Sequence, residues 1–181
     1  MACIDPAYYK FSLPILKAPI ITPADETADL DRLALPSSLL ALSPHCVTQR
    51  SSSAERRAVW QLADYFRREF QFDFVPYGDH GRESDASARA YLWLRDTEPS
   101  RTVAKAAYGA CCFRWRVLSN GSAGWLLSWI WFHPFERGKG HLTSVWPFFQ
   151  ARFGDFAVEL PLSHAMEAFL HKMRDASGSE G

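Results

Sequence analysis

The sequence predicts an α/β (α+β) domain, a mixed and mostly antiparallel central sheet flanked by helices. Three observations predict it. Apolar residues recur at helical intervals over residues 54–70. Two strand-like runs, residues 106–118 and 124–132, are joined by Ser119-Asn120-Gly121-Ser122, and Asn-Gly between apolar runs is the strongest short hairpin signal. The second run stops at His133-Pro134, where proline cannot donate to a ladder, and Arg137-Gly138-Lys139-Gly140 then opens a further helix.

Size and charge bound the reading. A chain of 181 residues is within the range of one domain and long enough to bury a full core. Formal net charge is zero, which argues against a nucleic-acid partner held by bulk electrostatics and leaves room for a local anion site. The longest apolar run, residues 125–132, is too short to cross a bilayer, which takes about 20 residues. Residues 1–20 lack an apolar core after a basic start, so no secretory leader is expected and the placement expected is cytoplasmic. The four cysteines (Cys3, Cys46, Cys111, Cys112) have no zinc spacing and read as free thiols. No metal is expected; Asp79-His80 is a single pair without a further ligand.

Residues 1–50 carry prolines at 6, 14, 19, 23, 36 and 44, which leave little room for long elements. They read as an arm packed on the main fold, with a short helix over 27–35. The main domain follows as residues 51–175, and residues 176–181 read as a flexible tail. Ser52 and Glu55 have capping-box spacing at the start of helix 54–70, in which Val59, Leu62, Ala63, Phe66 and Phe70 make the apolar stripe. Residues 77–87 are a Gly/Asp/Ser-rich exposed loop. A strand over 90–95 precedes the long strand 106–118, in which Cys111, Phe113, Trp115 and Val117 share one face. Residues 141–153 are helical up to Gly154. Pro147 inside that span either kinks the helix or marks a later start near Trp146, which would move the helix N-terminus away from Gly140. A strand over 156–160, broken by Pro161, leads to a closing helix over 163–173.

The physics of residues 130–142 is that of an anion cradle. Glycines spaced by one residue let a backbone approach a ligand, and the free N–H groups of a helix start favour phosphate. Lys139 and Arg137 add charge. This segment resembles the acetyl-CoA-binding motif of the GNAT superfamily of N-acyltransferases: strand, His-Pro, then Arg/Gln-x-x-Gly-x-Gly/Ala, then helix. Arg137, Gly138, Lys139 and Gly140 occupy its first four positions, and Leu142 stands where the family has glycine or alanine. The resemblance implies a divergent member with a GNAT-like sheet. It implies that Arg137, Gly138, Lys139, Gly140, His141 and Leu142 hold the pyrophosphate of acetyl-CoA, and that Ile130, Trp131 and Phe132 pair with its pantetheine arm. The family's second motif has Asn at the start of the last helix and Tyr in its middle. Ser163 and Leu170 stand there instead.

Acyl transfer from a thioester needs an aligned amine, a proton acceptor and an oxyanion donor. Strand 124–132 has no carboxylate. The catalytic candidates are therefore Glu159 on the next strand, with Ser163 and His164 at the break beyond it; a backbone N–H near Phe132 is the expected oxyanion donor. The aromatic cluster containing Trp129 is mainly core, and part of it can line a tunnel for a flat or apolar acceptor. The function expected is acetyl-CoA-dependent transfer of an acyl group to an amine on a small molecule or a protein. The alternatives are a non-catalytic acyl-CoA-binding or interaction module on the same fold, and an effector- or toxin-type acetyltransferase acting on a protein or tRNA. A homodimer is left open.

Overall fold

The structure is a computed structural model and describes residues 11–97, 104–117 and 121–178. Six strands form one sheet: β1 (Ile15–Lys17), β2 (His45–Val47), β3 (Arg89–Asp96), β4 (Ala104–Val117), β5 (Ala123–Phe132) and β6 (Ala157–Val158). Their order is β2-β3-β4-β5-β6, with β1 paired to β4. All pairs are antiparallel except β5 with β6. This is the mixed, mostly antiparallel and helix-flanked sheet that the sequence predicts. The β4–β5 pairing fits the hairpin reading; Gly121 has φ +81°, and the Ser119-Asn120 half of the turn lies outside the described residues.

The helices are α1 (Ala24–Leu33), α2 (Ser37–Leu40), α3 (Ser53–Phe70), α4 (His141–Phe153) and α5 (His164–Gly178). The capping box forms as expected: Ser52 Oγ accepts from the Glu55 N–H, and Glu55 accepts from the Ser52 N–H at 2.8 Å. Glu55 also meets His45 Nε2 at 2.5 Å, which ties the start of α3 to β2. The stripe Val59, Leu62 and Ala63 packs α3 on one sheet face against Ala110, Cys112, Trp129 and Trp131. On the other face, Phe148, Phe149 and Phe153 of α4 pack against Tyr91, Cys111 and Phe113. Alternation along β4 therefore sorts its residues between two cores as expected.

Two short strands of the N-terminal region, β1 and β2, pair within the sheet. β2 completes one edge beside β3. β1 takes the β4 edge that β5 leaves after Phe132, pairing Ile15 with Ala106 where Phe132 pairs with Gly109. The helix expected over 27–35 begins earlier, at Ala24, because Pro23 supplies its N-cap, and Ala34 ends it in the left-handed region. The prolines here bound short elements and do not exclude them. At the other end α5 continues to Gly178, into the segment expected as tail; residues 179–181 lie outside the described residues.

Candidate functional site

The site grows from a register fault. Cys112 pairs with Trp129 and Phe113 with Leu127, so Ser128 on β5 faces no partner and forms a bulge. The bulge reverses the alternation: Leu127 belongs to the α4 core, whereas Trp129 and Trp131 belong to the α3 core. It also marks where β5 and β6 part. They pair only at Leu126–Ala157 and Leu127–Val158, and the Glu159 N–H closes the contact on the Leu127 carbonyl at 3.0 Å. From Leu127 to Phe132 the outer edge of β5 runs about 17 Å with no second strand beside it among the described residues.

At the far end of that edge lies the glycine turn. His133 is buried, and its Nδ1 accepts from the Phe135 N–H at 3.3 Å, capping a 310 turn over Pro134–Glu136. Burial lowers the His133 pKa, outweighing a bond to the Phe11 backbone and the nearby Glu136 charge. Gly138 and Gly140 both adopt positive φ, +71° and +79°, and a Cβ at either would meet no atom within 4 Å. α4 begins at His141 directly after Gly140, and no side chain caps its first N–H groups. Of the two readings left open, Pro147 is thus interior to the helix, at an exposed position. The open backbone and the uncapped helix start fit a diphosphate on geometry.

The charged side chains of the turn are already engaged. Arg137 makes a two-pronged pair with Glu69 of α3, both bonds 2.6 Å, and donates from Nε to the Phe132 carbonyl. Glu69 also accepts from Trp131 Nε1 at 2.8 Å. Glu136 meets Arg95 at 2.6 Å and Lys139 at 3.0 Å, with His141 Nε2 at 3.5 Å. Burial opposes the Glu136 charge, but Lys139, Arg95 and His141 outweigh it and hold the carboxyl below its usual range. Three cations against two carboxylates leave a small positive excess, to which the helix start adds about half a charge. His141 and Phe132 stack with ring centroids 5.6 Å apart. Ile130 and Leu142 pack into the α4 core.

The parting strands open a cleft of about 1190 Å³, lined by residues of α3, of β5 and β6 and of the start of α5. Its lining includes Ile130, Trp129, Ser128, Glu159 and Ser163. Glu159 is exposed there, while Ser163 Oγ accepts from the Met166 N–H at 3.3 Å and so serves as a cap of α5. His164 is exposed and is not among the residues lining the cleft. Leu170 lies against the α4 core, and His171 faces solvent with Asp175 at 2.9 Å, so neither occupies the cleft. Cys46, Cys111 and Cys112 are fully buried, and burial raises all three thiols, Cys112 to about 12. None of them offers a thiolate nucleophile at neutral pH. Asp79 and His80 are 3.6 Å apart and exposed, and no group of three metal-ligating side chains occurs among the described residues. No helix among them is long and apolar enough to cross a membrane.

Three residues of this site escaped the sequence reading. Glu69 is 68 positions from Arg137 and carries no local signal. Glu136 stood inside the motif, and its spacing to Lys139 was legible. Gly109 had a signal too, an isolated glycine within a strand: a Cβ there would run into the Phe132 ring that it lies beneath.

No protein-family model matches the chain, and no curated protein matches it in sequence. Among solved structures it is similar to a ribosomal-protein-alanine N-acetyltransferase from Brucella melitensis biovar Abortus 2308, with 12% identity over 71% of this chain and 86% of that one at a TM-score of 0.45. It is also similar to an aminoglycoside antibiotic 6'-N-acetyltransferase from Acinetobacter haemolyticus, with 16% identity over 71% of this chain and 87% of that one at a TM-score of 0.38.

Proposed function

We propose that this chain is a divergent GNAT-type N-acyltransferase that takes acetyl-CoA as co-substrate and transfers its acyl group to an amine by direct attack. The observation that carries the reading is the juxtaposition on one strand: β5 parts from β6 at the Ser128 bulge and ends, about 17 Å on, at a glycine turn and an uncapped helix start. In this reading the N–H groups of the turn and of His141 and Leu142 receive the pyrophosphate, and Gly138 and Gly140 leave it room. The exposed edge from Ile130 to Phe132 pairs with the pantetheine arm. Arg137 and Lys139 act through the charge balance of the turn, because their side chains are held by Glu69 and Glu136.

The thioester then lies near the bulge. The oxyanion donor moves with it, from the expected neighbourhood of Phe132 to the backbone N–H groups around Ser128 and Trp129. Of the three catalytic candidates, Glu159 is the base this geometry favours, being exposed in the cleft beside the point of divergence. Ser163 is a cap and His164 lies outside. The amine nitrogen attacks the carbonyl carbon, the C–N bond forms, the C–S bond breaks, and the amine proton passes through Glu159 while the thiolate is protonated from solvent. Leu170, core-packed where the resemblance expects a tyrosine acid, is the one observation favouring the non-catalytic module.

Thermal unfolding with acetyl-CoA tests the cradle. At about 100 times the dissociation constant, the ligand should stabilise the chain by about 2.7 kcal/mol. Gly140→Val, which places a β-branched residue at φ +79°, should remove that response. A Gly140→Val variant that folds and responds to acetyl-CoA like the parent would refute the cradle. Release of free CoA with an amine separates the enzyme from the module.

A further inference from the structure

The cleft has a chemistry that selects its occupant. Its wall is aromatic: Phe66 stacks on Phe72 at 5.1 Å, meets Phe70 at 5.0 Å and meets Trp129 at 6.0 Å. Its lining also holds large apolar side chains left in water, Phe74 at 69%, Val117 at 76% and Leu160 at 76% exposure. A group of exposed apolar side chains around a concave site marks a binding surface.

Charge narrows the class further. Four charged residues line the cleft: Glu83, Arg114, Arg116 and Glu159. Arg114 is paired to Glu83 and Arg116 to Asp85, each at 2.6 Å. Among the described residues this leaves Glu159 as the one carboxylate of the lining with no cation paired to it. A single ammonium has a counter-charge here. Any second or third ammonium would lie against phenylalanine and leucine with no counter-charge, which disfavours it.

We propose that the acceptor taken by this cleft is a primary monoamine carried on an aromatic body, an arylalkylamine, with its ring among Phe66, Phe70 and Trp129 and its nitrogen towards Glu159. Polyamines and amino sugars bring further ammonium groups for which the described lining offers no second unpaired carboxylate. This rests on the acyltransferase reading, which makes the occupant an acceptor; the preference for a monocationic aromatic amine is a property of the cleft itself.

The test measures binding and turnover separately. Isothermal titration with phenethylamine, ethanolamine and spermidine, without acetyl-CoA, reads the cleft alone. Thiol release with acetyl-CoA reads transfer. Phenethylamine should bind at least tenfold more tightly than either comparison amine and show the highest kcat/KM. Trp129 is buried, so the rim variants Phe74→Ser and Leu160→Ser, at exposed positions, carry the mutational arm. Each should raise the KM for phenethylamine severalfold and leave the acetyl-CoA melting shift unaltered. Spermidine or ethanolamine binding as well as phenethylamine would overturn the proposal, as would rim variants with unchanged KM. A chain that binds phenethylamine selectively but shows no acetyl-CoA shift would instead remove the acyltransferase reading and leave the ligand class standing.

Discussion

Glu136 is the residue on which the electrostatics of the glycine turn depend, because it brings a carboxylate to where phosphates are expected and holds Lys139 and Arg95. Glu136→Gln should release both cations and remove a like charge. Acetyl-CoA should then bind about three- to tenfold more tightly, on the order of 1 kcal/mol, and the gain should shrink as salt rises; titration at two ionic strengths reads it. His133 sets a second expectation. Its folded pKa is depressed by burial below the usual 6.5, so between that lowered value and 6.5 the unfolded chain binds more protons. Stability is therefore fully present above pH 6.5 and is lost as pH falls through the lowered value. Urea unfolding from pH 7.5 to 5 should show the fall. His133→Asn, whose side chain can accept from the Phe135 N–H without titrating, should flatten that part of the curve; an undiminished slope would take His133 out of the account.

The helix after the turn raises a question of its own. α4 starts where the glycines end, and it tolerates Pro147 seven residues in. Proline there removes the donor that would reach the Thr143 carbonyl, and it strains the preceding turn. What holds the helix is its buried face, since Val145, Trp146, Phe148 and Phe149 are nearly inaccessible while Pro147 is exposed. Pro147→Ala should restore the bond without touching the core and stabilise the chain by about 1–3 kcal/mol. The part offset by a more flexible unfolded chain is smaller. A denaturant midpoint that fails to rise would mean that the helix start, rather than its interior, is limiting. The pattern in the chain left two starts open because an interior proline and an early proline look alike until the packing of Trp146 is known.

Over the whole molecule, a buried ionic knot joins the N-terminal region to both layers. Glu26 of α1 is 1% exposed. It accepts from Tyr91 Oη of β3 at 2.7 Å and from Arg152 of α4 at 3.0 Å, with Arg89 at 3.6 Å. Arg152 also meets Asp29 at 2.9 Å. Glu26→Ala would leave two guanidinium groups and a phenol short of a partner and should cost about 3–5 kcal/mol, read as a lowered unfolding midpoint. A loss under about 1 kcal/mol would mean that the knot contributes little to holding α1 against the sheet.

The amino-acid order alone determined what local chemistry decides. The α3 capping box, the β4–β5 hairpin and the end of α4 at Gly154 all follow from groups within a few residues of one another, so their signals survive in the linear chain. Tertiary structure decided the rest. The Ser128 bulge depends on a register between strands, and it marks where β5 and β6 part beside Leu127. The partners of Arg137 and Glu26 come from 68 and 126 positions away. Long-range pairing costs loop entropy that only the packed core repays, so no pattern in the chain announces it. For the same reason the engaged state of the turn's cations, and the lack of a paired cation at Glu159 among the described residues, become visible only once the sheet has closed.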